Sequence, residues 1–130
     1  MSELYEAARK YLGSPWLDHG RTRKGLDCVG LVVLSIRDAY GVDVNPKNTL
    51  HRHMPPGEFI RATAGHWVRV PKQEARPGDV VAMGKTDVTL LAILAPGAPL
   101  NMISIPLKGS VQEGPCSLDR PMRGVFRCRS

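Results

Sequence analysis

Several features are scarce in this chain of 130 residues, and each scarcity removes a class of protein. No apolar stretch approaches the roughly 20 residues a helix needs to cross a bilayer; the run from Gly30 to Leu34 stops far short. The opening, Met1-Ser2-Glu3-Leu4-Tyr5-Glu6, has neither the basic start nor the apolar stretch of a secretory signal, so synthesis and folding in a cytoplasm are expected. There are three cysteines, Cys28, Cys116 and Cys128, and no CxxC pair. That argues against a zinc ribbon or a thioredoxin-like centre and makes free thiols the expectation. Aromatic residues are only 5% and no recognition-helix or RRM pattern occurs, so the net charge of +6 reads as a solvated basic face, not specific nucleic-acid binding. Histidine is absent from every position after His66.

What is present fits one soluble α+β domain over residues 1–130, with 42% apolar residues and charges of both signs. Apolar spacing at Leu4, Ala7, Ala8, Tyr11 and Leu12 predicts a helix over Ser2–Leu12, stopped by Gly13. Leu17 to Gly25 reads as a surface loop. Asp27 is a natural N-cap for a helix from Cys28 to Tyr40, with Val29, Val32, Val33, Ile36 and Ala39 on one stripe and Gly41 at the C′ position. Asn45 to Gly65 reads as an irregular excursion with room for a short helix. Strand patterns follow at His66–Val70, Asp79–Met83, Thr89–Leu94, Asn101–Leu107 and Gly124–Cys128, with Ala95-Pro96-Gly97-Ala98-Pro99 as a hairpin turn. Two helices followed by adjacent strands predict a central helix packed on an antiparallel sheet.

Cys28 is the residue whose position suggests chemistry. In the first turn of a helix it meets unpaired N–H groups and the positive end of the dipole, which favour a thiolate. A buried cysteine acting as a small hydrophobe is the plain alternative. The segments around it add weight: Tyr11-Leu12-Gly13-Ser14-Pro15-Trp16, then Gly20, then Gly25-Leu26-Asp27-Cys28-Val29-Gly30-Leu31-Val32. With Arg76-Pro77-Gly78-Asp79-Val80-Val81 and the terminal Arg123-Gly124-Val125-Phe126-Arg127, their order and spacing resemble the NlpC/P60 cysteine peptidases, phage-encoded forms especially. The resemblance runs from Tyr11 to Arg127. It implies a papain-like fold and, in active members, cleavage of peptidoglycan stem peptides by a cysteine, a base histidine and an orienting polar residue.

Here the pattern departs from the family. The histidine-bearing segment falls on Asp87 to Leu94, and the register set by Leu91–Leu94 puts Leu90 where the imidazole belongs, a slipped one Asp87 or Thr89, none of them histidine. The orienting position falls on Ser104, with Asn101 as the slipped alternative, and Trp16 offers no hydroxyl to an oxyanion. Loss of a positioned acid–base costs about 10²- to 10⁴-fold, and without an imidazole the Cys28 pKa is expected to rise toward the free value. His19 could fold back toward Cys28. His51-Arg52-His53 lacks carboxylate neighbours in sequence, so no metal and no cofactor are expected. The resemblance therefore implies a degenerate, non-catalytic domain of a phage tail tip or baseplate in the virion. Its expected partners are the tail hub and distal tail proteins, with peptidoglycan as a further one. An active peptidoglycan endopeptidase using Cys28 is the alternative.

Overall fold

The structure is a computed structural model and describes residues 3–45, 50–54, 56–83, 90–97, 100–116 and 122–128. The first helix, α1, spans Glu3–Arg9, shorter than the spacing predicts. Lys10 to Gly13 leave the helix as a turn, and Gly13 takes the left-handed φ of +88° that glycine tolerates. The acidic start (Glu3, Glu6) and basic end (Arg9) of α1 complement its dipole.

The central helix α2, Cys28–Tyr40, begins and ends where its caps dictate. Asp27 is extended (φ −105°, ψ −172°) and its carboxylate accepts the Gly30 N–H at 2.8 Å. Such a cap contributes about 1 kcal/mol. At the other end Gly41 is left-handed (φ +71°) and donates its N–H to the Arg37 carbonyl at 2.8 Å. Burial exceeds the single stripe: every residue from Cys28 to Ile36 is buried, and exposure begins at Arg37. A helix apolar on all sides at one end belongs inside the core.

Two short strands, β1 (Arg21–Thr22) and β2 (Gly25–Leu26), form a hairpin inside the segment expected to be a plain loop. The excursion carries α3, Pro56–Ala62, and a 3-10 turn at Ala64–His66, so His66 precedes the first long strand instead of lying on it. That strand is β3 (Trp67–Val70); then come β4 (Val80–Met83), β5 (Leu90–Ala95), β6 (Asn101–Ser104), β7 (Gln112–Pro115) and β8 (Met122–Cys128). They form one six-stranded sheet in the order β3-β8-β4-β5-β6-β7, with every pair antiparallel. The strand expected over Asn101–Leu107 ends at Ser104. The unexpected β7 is Gln-Glu-Gly-Pro, a sequence of low strand propensity that pairs at the edge beside β6. Ala95 pairs with Asn101 across the expected hairpin; Ala98 and Pro99 of its turn lie outside the described residues.

Period-2 alternation sorts the sheet's two faces. Val80, Ala82, Leu91, Ile93, Ala95, Ile103 and Phe126 join the main core with the α1 and α2 side chains. Val81, Met83, Ala92 and Leu94 turn to the opposite face and meet Cys116. Two of the sequence motifs prove to be the ends of one contact. Buried Asp79 of Pro-Gly-Asp receives Arg127 of the last strand through Nε and Nη2, both at 2.9 Å, and the Arg76 N–H at 3.1 Å.

Gly30 explains the spacing of the cysteine motif. A Cβ there would lie 2.3 Å from the Gly20 carbonyl oxygen, a backbone atom that cannot step aside. The loop before Cys28 and the first turn of α2 therefore meet at a glycine. We predict that Gly30→Ala lowers stability by about 2–4 kcal/mol. Gly114→Ala, where an added Cβ meets nothing within 4 Å, is expected to change it by less than about 1 kcal/mol. Urea unfolding of the two variants checks this.

Candidate functional site: the Cys28 pocket

Cys28 stands at the head of α2 with 5% exposure. Its thiol is held by the residues around it: backbone hydrogen bonds from Leu91 on β5 and from Val29 favour the thiolate, as does the charge of Arg52, while Asp27 opposes it. Burial outweighs them all and drives the thiol from its ordinary 9.0 to about 11. The sequence predicts the opposite pull from the helix N-terminus and a rise only to the free value. The structure corrects the second, because burial carries the thiol past the free value despite the donors around it.

The residue beside Cys28 is built for position. Asp27 is fully buried, and its carboxylate accepts from the N–H of Gly30, the N–H of His19 at 2.9 Å and Nη1 of Arg21 at 2.9 Å. Arg21 also donates to the carbonyls of Gly20 (2.7 Å) and Leu50 (2.9 Å). The loop, the helix head and the segment at Leu50 are thereby tied to one carboxylate.

In front of the sulfur lies a cavity of about 30 Å³ lined by Trp16, Cys28, Arg52, Leu90, Ile105 and Leu107. That is room for a water or two, against roughly 300–1,000 Å³ for sites that enclose ligands. Its mouth is apolar, with Leu90 44% and Leu107 59% exposed. Leu90 thus reaches the cavity from the first position of β5. Ser104 ends β6, paired with Gln112, and its neighbour Ile105 is the residue that lines the cavity. Asn101 sits at the far end of β6, opposite Ala95. Among the described residues no histidine lines the cavity.

His19 goes elsewhere. Its ring centre lies 5.9 Å from those of His51 and His53, which are 6.2 Å from each other. Asp18 Oδ2 is 3.4 Å from Nδ1 of His19 and 3.3 Å from Nε2 of His53, and Asp18 Oδ1 is 3.5 Å from Nε of Arg52. Burial works against the Asp18 carboxylate, but the His53 hydrogen bond and the charges of His19, His53 and Arg52 hold its pKa below the usual value. Nothing in the sequence points to this grouping, because His51, Arg52 and His53 lie far along the chain from Asp18 and meet it only in the fold. Among the described residues no three His, Cys, Asp or Glu are set to hold a metal ion.

Known proteins share this architecture. The NlpC/p60 domain of the peptidoglycan hydrolase SagA superposes with a TM-score of 0.68 at 21% identity, over 98% of this chain and 97% of that one. A lipoprotein-like protein of the NLP/P60 family from Staphylococcus aureus gives 0.69 at 20% identity, over 98% of this chain and 40% of that one. The fold is that of an NlpC/P60 domain. In sequence, the chain is 30% identical over 78 residues to the probable endopeptidase NlpC of Escherichia coli K12, covering 60% of this chain and 43% of that protein. No family model matches the chain. The papain-like α+β expectation therefore stands as the observed NlpC/P60 fold, with Cys28 at the head of its central helix.

Two predictions follow from the buried thiol. The folded thiol keeps its proton to about pH 11 and the unfolded one only to about 9.0. Its stabilising contribution is therefore full below pH 9 and is lost as pH rises through that window, by up to about 1.4 kcal/mol per pH unit. Urea midpoints at pH 8 and pH 11 are expected to diverge more for the wild type than for Cys28→Ala; equal slopes would contradict the burial. Second, Leu90→His is expected to bring the midpoint of Cys28 alkylation down from near 11 toward neutrality, read by iodoacetamide kinetics across pH. An unmoved midpoint would mean that position 90 does not face the sulfur.

Proposed function

We propose that this chain is a peptidoglycan-directed domain of the NlpC/P60 family that contacts cell-wall peptide without cleaving it, its cysteine site being catalytically incomplete. The observation that carries this reading is the sulfur of Cys28, buried and neutral, meeting Leu90, Trp16 and Arg52 in a cavity with no imidazole among its described walls. Peptide cleavage by a cysteine needs a thiolate to attack the carbonyl and a proton for the leaving amine. A thiol titrating near 11 supplies little of the first at neutral pH, and neither a leucine nor a serine carries a proton for the second. The wall as target is supported by the names of the similar proteins, a peptidoglycan hydrolase and a probable endopeptidase. Placement in a phage tail tip, docked on hub and distal tail proteins, rests on the sequence motifs of the loop and terminus alone and is the narrower form of the proposal.

Two observations favour a second reading, that of an active peptidoglycan endopeptidase. The sequence likeness to the Escherichia coli protein extends over 78 residues, and His51 and His53 flank Arg52, which already reaches the Cys28 cavity. A rearrangement bringing either imidazole to the sulfur would assemble a cysteine–histidine pair.

Purified peptidoglycan separates the two. Co-sedimentation with the insoluble wall, with no release of soluble fragments above that of Cys28→Ala, is expected. Fragment release that disappears in Cys28→Ala would establish the endopeptidase. Absence of co-sedimentation as well as release would remove the wall as a target.

A further inference from the structure

The segment 50–54 is fastened unevenly. At Leu50 it is pinned on both backbone groups: its N–H donates to Asn45 Oδ1 at 3.1 Å and its carbonyl accepts Arg21 Nη2 at 2.9 Å, while its side chain is buried. Two residues on, Arg52 lies over the Trp16 ring with its guanidinium 5.6 Å from the ring centre, and forms one wall of the Cys28 cavity. Met54 beyond it packs against the main core, but the polar contacts at Arg52 are incomplete. Arg52 and Asp18 are close enough for an ion pair at 3.5 Å, yet among the described residues Arg52 Nε and Asp18 Oδ1, both buried, have no hydrogen-bond partner. Nor, among those residues, has the buried Nδ1 of His51. Buried polar atoms left unsatisfied favour whatever state returns them to water. Asp18 is itself 39% exposed, where an ion pair adds little.

We propose that residues 50–54 form a strap hinged at Leu50, closed over the Cys28 pocket by Arg52, and latched by Asp18 with His19 and His53. The inference rests on the Cys28 pocket being the working site and adds how that site is admitted to. Closed, the cavity of about 30 Å³ excludes anything of peptide size. Swinging Arg52 off Trp16 removes one wall and joins the cavity to the exposed apolar rim of Leu90 and Leu107. The released ends, Asp18, Arg52 and His53, gain solvent in place of incomplete contacts.

The electrostatic sign makes the test clean. The charge of Arg52 favours the Cys28 thiolate, so losing it without any opening slows alkylation. The full chain is treated with iodoacetamide at pH 8, and modification of Cys28 is followed by mass spectrometry relative to Cys116, the buried thiol packed on the opposite face of the sheet. In Arg52→Ala the ratio of Cys28 to Cys116 rates is expected to rise at least tenfold, and in Asp18→Asn, where Arg52 is retained, by about two- to fivefold. A general loss of stability raises both rates and leaves the ratio unchanged. An unchanged or lower ratio in both variants overturns the strap. Peptidoglycan does not enter this measurement, so the strap and the wall-contact reading succeed or fail separately.

Discussion

The carboxylate of Asp27 is the point on which the site depends. Fully buried, it receives hydrogen bonds from the first turn of α2, from the loop at His19 and from the guanidinium of Arg21, which carries the connection on to Leu50. A buried carboxylate is tolerable only when its oxygens are occupied by donors. The demand for three such donors fixes three stretches of chain around the next residue, Cys28. The closeness of Gly30 to Gly20 is the steric side of the same arrangement: backbones must approach this near for one carboxylate to serve them all.

Beside that node the fate of Cys28 is a contest between burial and polarity, and burial wins. Helix N-terminus, Leu91 N–H and Arg52 all favour a thiolate, yet the thiol is pushed to about 11. A nearby imidazole would change the balance by making an ion pair with the sulfur. Leu90 at the cavity wall adds apolar surface and none of that stabilisation. The sheet, the central helix and the Asp79–Arg127 pair hold together without drawing on a thiolate at Cys28.

The motifs legible in sequence were those with local physical causes. Asp27 and Gly41 bound α2 because a side-chain cap and a left-handed glycine act within a few residues. The alternation in Val80–Met83 and Leu90–Ala95 marks strands because one face of each joins the main core and the other meets Cys116. What escaped was structure made by pairing. Strand β7, Gln-Glu-Gly-Pro, is extended because β6 offers it an edge, and the β1–β2 hairpin exists because Arg21 and Leu26 meet across it. The sequence left His19 able to fold back toward Cys28; the carboxylate of Asp18 and the rings of His51 and His53 place it elsewhere.

By itself the sequence determined the central helix and its ends, the α+β order, the place of Cys28 and the absence of histidine beyond His66, since each follows from residue type or from contacts a few positions apart. Only the tertiary structure decided that burial raises the Cys28 thiol, that Asp79 and Arg127 are one pair, and that Arg52 lies over Trp16 at the pocket wall. Desolvation and long-range ion pairs depend on which surfaces meet, and that is a property of the packed chain.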